Sequence, residues 1–130
     1  MDRSADWLDQ AKDDLLWARA TLDAEHYAQA CFVCQQVAEK ALKALAIRRG
    51  YDEIRSHSIL EIAQALGVND EIETIGKRLD QYYIGTRCPD AFVSGAPYRY
   101  YTAQQAEEAL HMAERLVAKV EGELGAVSDE

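Results

Sequence analysis

The chain has 130 residues, 48% of them hydrophobic, with 14 Lys+Arg against 23 Asp+Glu for a net charge of −9. That length suits one domain with a real core, and only 2 Pro and 7 Gly argue against a many-turned β-sandwich. The acidity repels phosphate backbones at long range, which disfavours non-specific DNA coating.

The charge is unevenly spread. Residues 1–26 sum to −4 and residues 104–130 to −5, whereas residues 40–60, with Lys40, Lys43, Arg48, Arg49 and Arg55 against Asp52 and Glu53, sum to +3. An anionic ligand can be met there. No apolar run approaches the ~18–20 residues that cross a bilayer, and the opening MDRSADWLDQ carries acids where a signal peptide has a basic stretch. The expectation is a cytoplasmic protein without a membrane partner. Its cysteines, Cys31, Cys34 and Cys88, are odd in number and need no disulfide there.

In the first segment Leu8, Ala11, Leu15, Ala18 and Leu22 recur at helical spacing, one apolar stripe on a helix of about 20 residues. Ser4 suits its N-cap, and the pattern stalls at Glu25 and His26. A second helix is predicted from Tyr27 to Arg49, with Cys31, Cys34, Ala38, Leu42 and Leu45 on its stripe and Gly50 just past its end. The short link makes the two an antiparallel hairpin. Ser58 with Glu61 opens a short third helix through Leu66, closed by Gly67. Asp70 with Glu73 opens a fourth, whose stripe is Ile72, Ile75, Leu79 and Tyr82 and which ends at Gly85. Thr102 with Gln105 caps the last helix, carrying Ala106, Leu110, Ala113, Val117, Val120 and Leu124. The expected architecture is an all-α, up-and-down helical bundle of three long and two short helices. It forms one domain over residues 1–125, with 126–130 a frayed tail. Residues 84–102 form a long loop rich in tyrosine, too aromatic for a solvated linker.

Several groups bear chemistry. Cys31-x-x-Cys34 has no second ligand pair at zinc spacing and lies on an apolar stripe, so it reads as core, and no metal or other cofactor is expected. Asp6, Asp9 and Asp13 read as a solvated face, while Asp14 sits beside the stripe, where a basic group on a neighbouring helix would pair with it. Glu39 and Lys43 are an i,i+4 pair of the exposed kind, and Lys40 reads as ordinary surface. Gln35 shares the buried stripe, so its amide needs partners, which a subunit interface or a ligand would supply. His57 precedes the third helix, a position that suits either anion binding or packing. Tyr98, Arg99, Tyr100 and Tyr101 offer aromatic faces beside a guanidinium, for stacking a base or for anchoring the loop.

The runs WLDQAKDDLLWARATL, HYAQACFVCQQVAEKALKAL, RSHSILEI, YYIGTRCPDAF and APYRYYTAQQAEEALHMAERL, in this order over about residues 5–120, resemble the HEPN domain, the nucleotide-binding domain shared by higher eukaryotes and prokaryotes. Cys88, in Arg87-Cys88-Pro89-Asp90, stands where that family often has an aromatic residue. The resemblance implies a bundle that forms a homodimer, commonly partnering a small nucleotidyltransferase in a toxin–antitoxin-like pair. One branch of the family consists of metal-independent ribonucleases with Arg-x(4–6)-His near the start of the last long helix. Here Arg99 precedes His111 by 12 positions and Arg87 by 24, so that place is empty. Arg19 and His26 match the spacing but sit at the end of the first helix.

The expectation is therefore a binding module for a nucleotide or other phosphate ligand, without catalytic residues. Lys43 and Arg87 would contact phosphate, His57 would donate from a helix start, and Tyr98 would stack beside Arg99. The alternative is a ribonuclease toxin using Arg55, His57 and Arg87.

Overall fold

The structure is a computed structural model and describes residues 2–51, 54–68 and 70–128, the last three of these by backbone only. Three long helices, α1 (Ser4–Asp23), α2 (Tyr27–Arg48) and α6 (Ala103–Ser128), pack side by side. Three shorter ones, α3 (Ile59–Leu66), α4 (Asp70–Leu79) and α5 (Tyr82–Gly85), and two 3-10 turns (Pro89–Ala91 and Pro97–Tyr100) fill the connection between α2 and α6. No strand occurs among the described residues. The all-α bundle expected from periodicity is the observed fold.

Helix α2 is the central element, touching both α1 and α6 along its length. Its small residues allow this: Ala28, Ala30, Ala38, Ala41, Ala44 and Ala46 are all buried and bring neighbouring backbones close, while Leu42 and Leu45 fill the space between them. Cys31 and Cys34 are fully buried in this core, and burial pushes the Cys31 thiol up to about 12 and Cys34 in the same direction. They are packing residues.

Several termini follow the expected local chemistry, with one exception among the expected caps. Ser58 Oγ accepts from the Glu61 amide (3.1 Å) and Gly67 closes α3 at φ 67°. Thr102 and Gln105 cap α6 reciprocally, at 2.9 and 3.2 Å. Helix α2 ends at Arg48, and Gly50 takes φ 94° just beyond it. The exception is Ser4, expected as the N-cap of α1. It is already helical and buried; its amide donates to Asp2 Oδ1 (2.7 Å) and its hydroxyl accepts from Arg48 Nε (3.1 Å). Asp2, lying before the helix, takes the capping role.

The expected fourth helix over 70–85 is two helices, α4 and α5, divided at Asp80 and Gln81. Asp80 causes the division by serving a different helix. Its carboxylate accepts from the backbone amides of Ile59 (2.7 Å) and Leu60 (3.1 Å) and from the Ser58 hydroxyl (2.8 Å). The last helix is followed to Ser128; positions 129 and 130 of the expected tail lie outside the described residues.

The long connection is not a free loop. Tyr101 meets Tyr82 edge-on (5.8 Å between ring centres), Phe92 stacks flat on Tyr100 (4.2 Å), and Pro97 is buried. Its second 3-10 turn lies on α2, so Tyr100 and Tyr101 act as loop anchors.

Candidate functional site

Helix α2 carries a buried polar row on the face toward α3. Gln35 is fully buried, and its Nε2 donates to the His57 carbonyl (2.9 Å) while its Oε1 accepts from Gln36 Nε2 (2.7 Å). The partners expected from a subunit or a ligand are thus supplied by the chain itself. One turn on, Glu39 is 5% exposed, too buried for the surface pair its spacing with Lys43 suggests. Its carboxylate gathers the Lys43 ammonium (2.8 Å), His57 Nδ1 (3.2 Å) and, more distantly, Gln35 Nε2 (3.5 Å). Lys40 is not free surface either, since its ammonium pairs with Asp14 on α1, which Gln10 also reaches at 3.0 Å. That pair is the one expected of Asp14.

His57 stands at the mouth of this row. Its backbone is held by Gln35 and its Nδ1 by Glu39, and its ring stacks on Tyr83 of α5 (5.1 Å between centres, 17° between planes). The side chain is 56% exposed. Beside it His57, Ser58, Asp80, Tyr83 and Ile84 line a cavity of about 170 Å³. The amides at the start of α3 do not face that cavity as an anion site, because Asp80 already occupies the Ile59 and Leu60 amides. The anion this helix start holds is internal, which removes the reason for placing a phosphate on it.

Arg87 completes the cluster. Its Nε and Nη2 fork onto the Tyr83 carbonyl (2.9 and 2.7 Å), and its guanidinium lies over Phe32 (4.4 Å) and Tyr83 (4.8 Å). Most other arginines are neutralised: Arg3 by Asp6, Arg19 by Glu114, Arg48 by Asp2, Arg49 by Glu123, Arg78 by Glu108 and Arg115 by Glu71. Arg87 is exposed and, among the described residues, has no carboxylate partner. In a chain of net charge −9 this is an open cation.

Of the five residues singled out from sequence, the fold connects three. Lys43 reaches His57 through Glu39, and His57 reaches Arg87 through Tyr83. Lys43, however, is turned inward; its side chain is 15% exposed, and its ammonium lies on Glu39 and 6.0 Å from the Trp7 ring centre, so it supports the site instead of contacting a ligand. Tyr98 and Arg99 touch each other (3.4 Å, 5.8 Å to the ring centre), and no described hydrogen bond or ring contact joins them to the His57 cluster. Phe32, Glu39 and Tyr83 belong to the cluster and were missed. Only Glu39 left a signal, as an acid one helical turn from a buried glutamine.

The other histidines have different surroundings. His111 faces a groove of about 470 Å³ that also contains Glu107 and Glu108, with Arg78 already paired to Glu108 (3.1 Å). His26 holds the N-cap position of α2, and Arg19 is paired with Glu114 (3.4 Å).

The model of the HEPN domain matches residues 4–123. The chain belongs to the HEPN family. Three solved structures agree. The chain is 43% identical to TT1696 from Thermus thermophilus, with 94% of this chain and 98% of that one covered at a TM-score of 0.88. It is 38% identical to ST0689, an archaeal HEPN homologue (95% and 98% covered, TM-score 0.79), and 31% identical to a HEPN domain protein of Thermotoga maritima (92% and 97% covered, TM-score 0.74). No curated protein matches the chain. Among the described residues no helix of this HEPN protein is long and apolar enough to cross a membrane.

Proposed function

We propose that this HEPN protein is a homodimeric binding module of the cytoplasm that partners a small nucleotidyltransferase in a toxin–antitoxin-like pair and takes a nucleotide or other phosphate-bearing ligand at Arg87 and His57. The observation that carries the ligand reading is Arg87. Its guanidinium is pre-oriented by the Tyr83 carbonyl and two aromatic faces, yet has no carboxylate partner among the described residues. A planar cation held this way retains N–H donors for a phosphate and loses little side-chain freedom on binding. The partner and the dimer rest on the family resemblance. The experiment is co-expression with a neighbouring nucleotidyltransferase, followed by size-exclusion chromatography and mass analysis of any retained nucleotide. A monomer of 14.6 kDa that elutes alone and empty contradicts the proposal.

A second reading, a metal-independent ribonuclease, is favoured by one observation: Glu39 holds Nδ1 of His57, whose ring shares Tyr83 with an arginine that has no carboxylate partner among the described residues, an arrangement suited to proton transfer. Binding is preferred because the Arg-x(4–6)-His motif is missing from the start of α6 and the groove around His111 is lined by glutamates. Incubation of the purified protein with structured and single-stranded RNA, beside His57→Ala, decides. Cleavage lost in the variant installs the ribonuclease.

A further inference from the structure

We propose that Glu39 is a positioning residue that fixes the tautomer of His57, so that the ligand of this site is a phosphate ester bearing a free hydroxyl. The second half of this inference rests on the ligand reading of the Arg87 face given above.

Glu39 lies almost wholly inside the protein, and its carboxylate oxygens meet donors: the Lys43 ammonium at 2.8 Å and the Gln35 amide at 3.5 Å. A carboxylate has no hydrogen to give, so the hydrogen between it and His57 Nδ1, at 3.2 and 3.3 Å from the two oxygens, belongs to the imidazole. In the neutral ring only one nitrogen carries hydrogen. With that hydrogen on Nδ1, Nε2 presents a lone pair. A half-turn of the ring would carry Nδ1 away from the Glu39 carboxylate and put a carbon there, and Gln35 holds the backbone by the His57 carbonyl, so the placed ring keeps Nδ1 on Glu39. Two side chains of α2, one turn apart, therefore hold the backbone and the imidazole of a single residue.

The outward face is then mixed. Arg87 offers N–H donors and positive charge, and in the neutral ring with its hydrogen on Nδ1, His57 Nε2 offers an acceptor. Both pack on the Tyr83 phenol ring, the guanidinium carbon 4.8 Å and the imidazole centre 5.1 Å from its centre, and the proposed ligand spans the two at the edge of that ring. A bare phosphate dianion satisfies Arg87 but sets its oxygens against the His57 lone pair. A phosphate ester with a hydroxyl a few bonds from phosphorus satisfies both groups, donating to Nε2 while its phosphate takes Arg87. The cavity of about 170 Å³, lined by His57, Ser58, Asp80, Tyr83 and Ile84, is small for a whole drug-sized ligand and suits the hydroxyl end of such an ester, whose phosphate stays outside it on Arg87.

The test has two independent readouts on the intact chain labelled with 15N-histidine. Long-range 1H–15N spectra give the tautomer, with the His57 signals assigned by their loss in His57→Ala. The expected result is a hydrogen on Nδ1 in the parent and a shift toward the Nε2–H form in Glu39→Gln, whose amide donates to Nδ1. A merely structural Glu39 leaves the tautomer alone. Glu39→Asp, which keeps the carboxylate, is expected to keep the Nδ1–H form; Glu39→Met, of similar length and without an acceptor, is expected to lose it and serves in place of Glu39→Gln if melting shows that the amide variant does not fold. An Nε2–H tautomer, or a ring protonated on both nitrogens at neutral pH, in the parent overturns the proposal whatever binds.

The second readout compares glycerol 3-phosphate with n-propyl phosphate, which differ in their hydroxyls. Glycerol 3-phosphate is expected to bind about fivefold to tenfold more tightly, as one added hydrogen bond provides, and to move the Nε2 resonance. Equal binding of the two probes overturns the hydroxyl assignment. If neither probe moves His57 while the tautomer is as expected, the ligand reading of the Arg87 face fails and the role of Glu39 stands.

Discussion

The carboxylate of Asp80 sits 2.7 Å from the backbone amide of Ile59, twenty-one residues away in sequence. With the Leu60 amide and the Ser58 hydroxyl it makes Asp80 the anion at the start of α3, and it ties α3 to the division between α4 and α5 that sets Tyr83 under His57. Asp80→Ala leaves two amides without that acceptor and is expected to cost about 2–3 kcal/mol, the range for hydrogen bonds to a charged group. Urea denaturation measures it. A loss below about 0.5 kcal/mol, the size of an ordinary surface substitution, contradicts the capping role.

Two glycines in helices predict opposite outcomes. A Cβ on Gly76 of α4 would lie 2.8 Å from the Leu60 backbone nitrogen, so α3 and α4 can approach as they do only with glycine there. Gly76→Ala is expected to destabilise by about 1–3 kcal/mol through overpacking. A Cβ on Gly122 of α6 meets nothing within 4 Å, and alanine there is expected to stabilise by about 0.5–1 kcal/mol. Thermal melts of both variants against the parent check the signs; a stabilising Gly76→Ala contradicts the packing described.

Glu25 takes a positive φ of 67° in the turn between α1 and α2, a conformation that costs a residue with a side chain about 1–2 kcal/mol. Because glycine also carries more freedom in the unfolded chain, Glu25→Gly is expected to gain a net ~0.5–1 kcal/mol. Chemical denaturation reads it, and a destabilised variant contradicts this account of the turn.

Glu71 joins α4 to α6. Hydrogen bonds from Lys119 and then from Arg115 hold its carboxyl below the usual carboxylate range. A carboxylate lowered in the folded state adds stability that is fully present above its unfolded value, about 4.3, and is lost as pH falls through its lower folded value. The stability difference between the parent and Glu71→Gln is therefore expected at neutral pH and to vanish on acidification below that range. The group is exposed, so the difference is small and shrinks further in high salt. Denaturation curves across pH and salt test this; a difference that grows on acidification contradicts it.

Elements whose ends are specified locally were legible in the sequence. Thr102 with Gln105 carries the whole cap in neighbouring residues, and Ser58 with Gly67 marks both ends of α3, to which Asp80 adds from a distance. Asp14 was legible as well, because an acid beside an apolar stripe has to find a base, and Lys40 is that base. The division at Asp80 was not. The stripe Ile72, Ile75, Leu79 and Tyr82 runs on at helical spacing through it, and the cause is a carboxylate recruited by another helix. Arg87 and His57 were chosen for their chemistry, but Phe32 and Glu39 come from another segment and Tyr83 meets His57 only in the fold, and of these three Glu39 alone left a local sign. Lys43 shows the same limit from the other side. Its i,i+4 spacing to Glu39 was visible, while the burial that turns its ammonium inward depends on Trp7 and α2 packing together.

On the proposed function, the stacked guanidinium of Arg87, which has no carboxylate partner among the described residues, receives a phosphate. Isothermal titration of a nucleoside monophosphate into the purified protein, into Arg87→Ala and into Arg99→Ala tests it most directly. The expected result is saturable binding by the parent, about tenfold or greater weakening in Arg87→Ala for the loss of a charge-assisted hydrogen bond, and little change in Arg99→Ala. Binding that survives in Arg87→Ala and is lost in Arg99→Ala would contradict the account and move the site into the tyrosine loop.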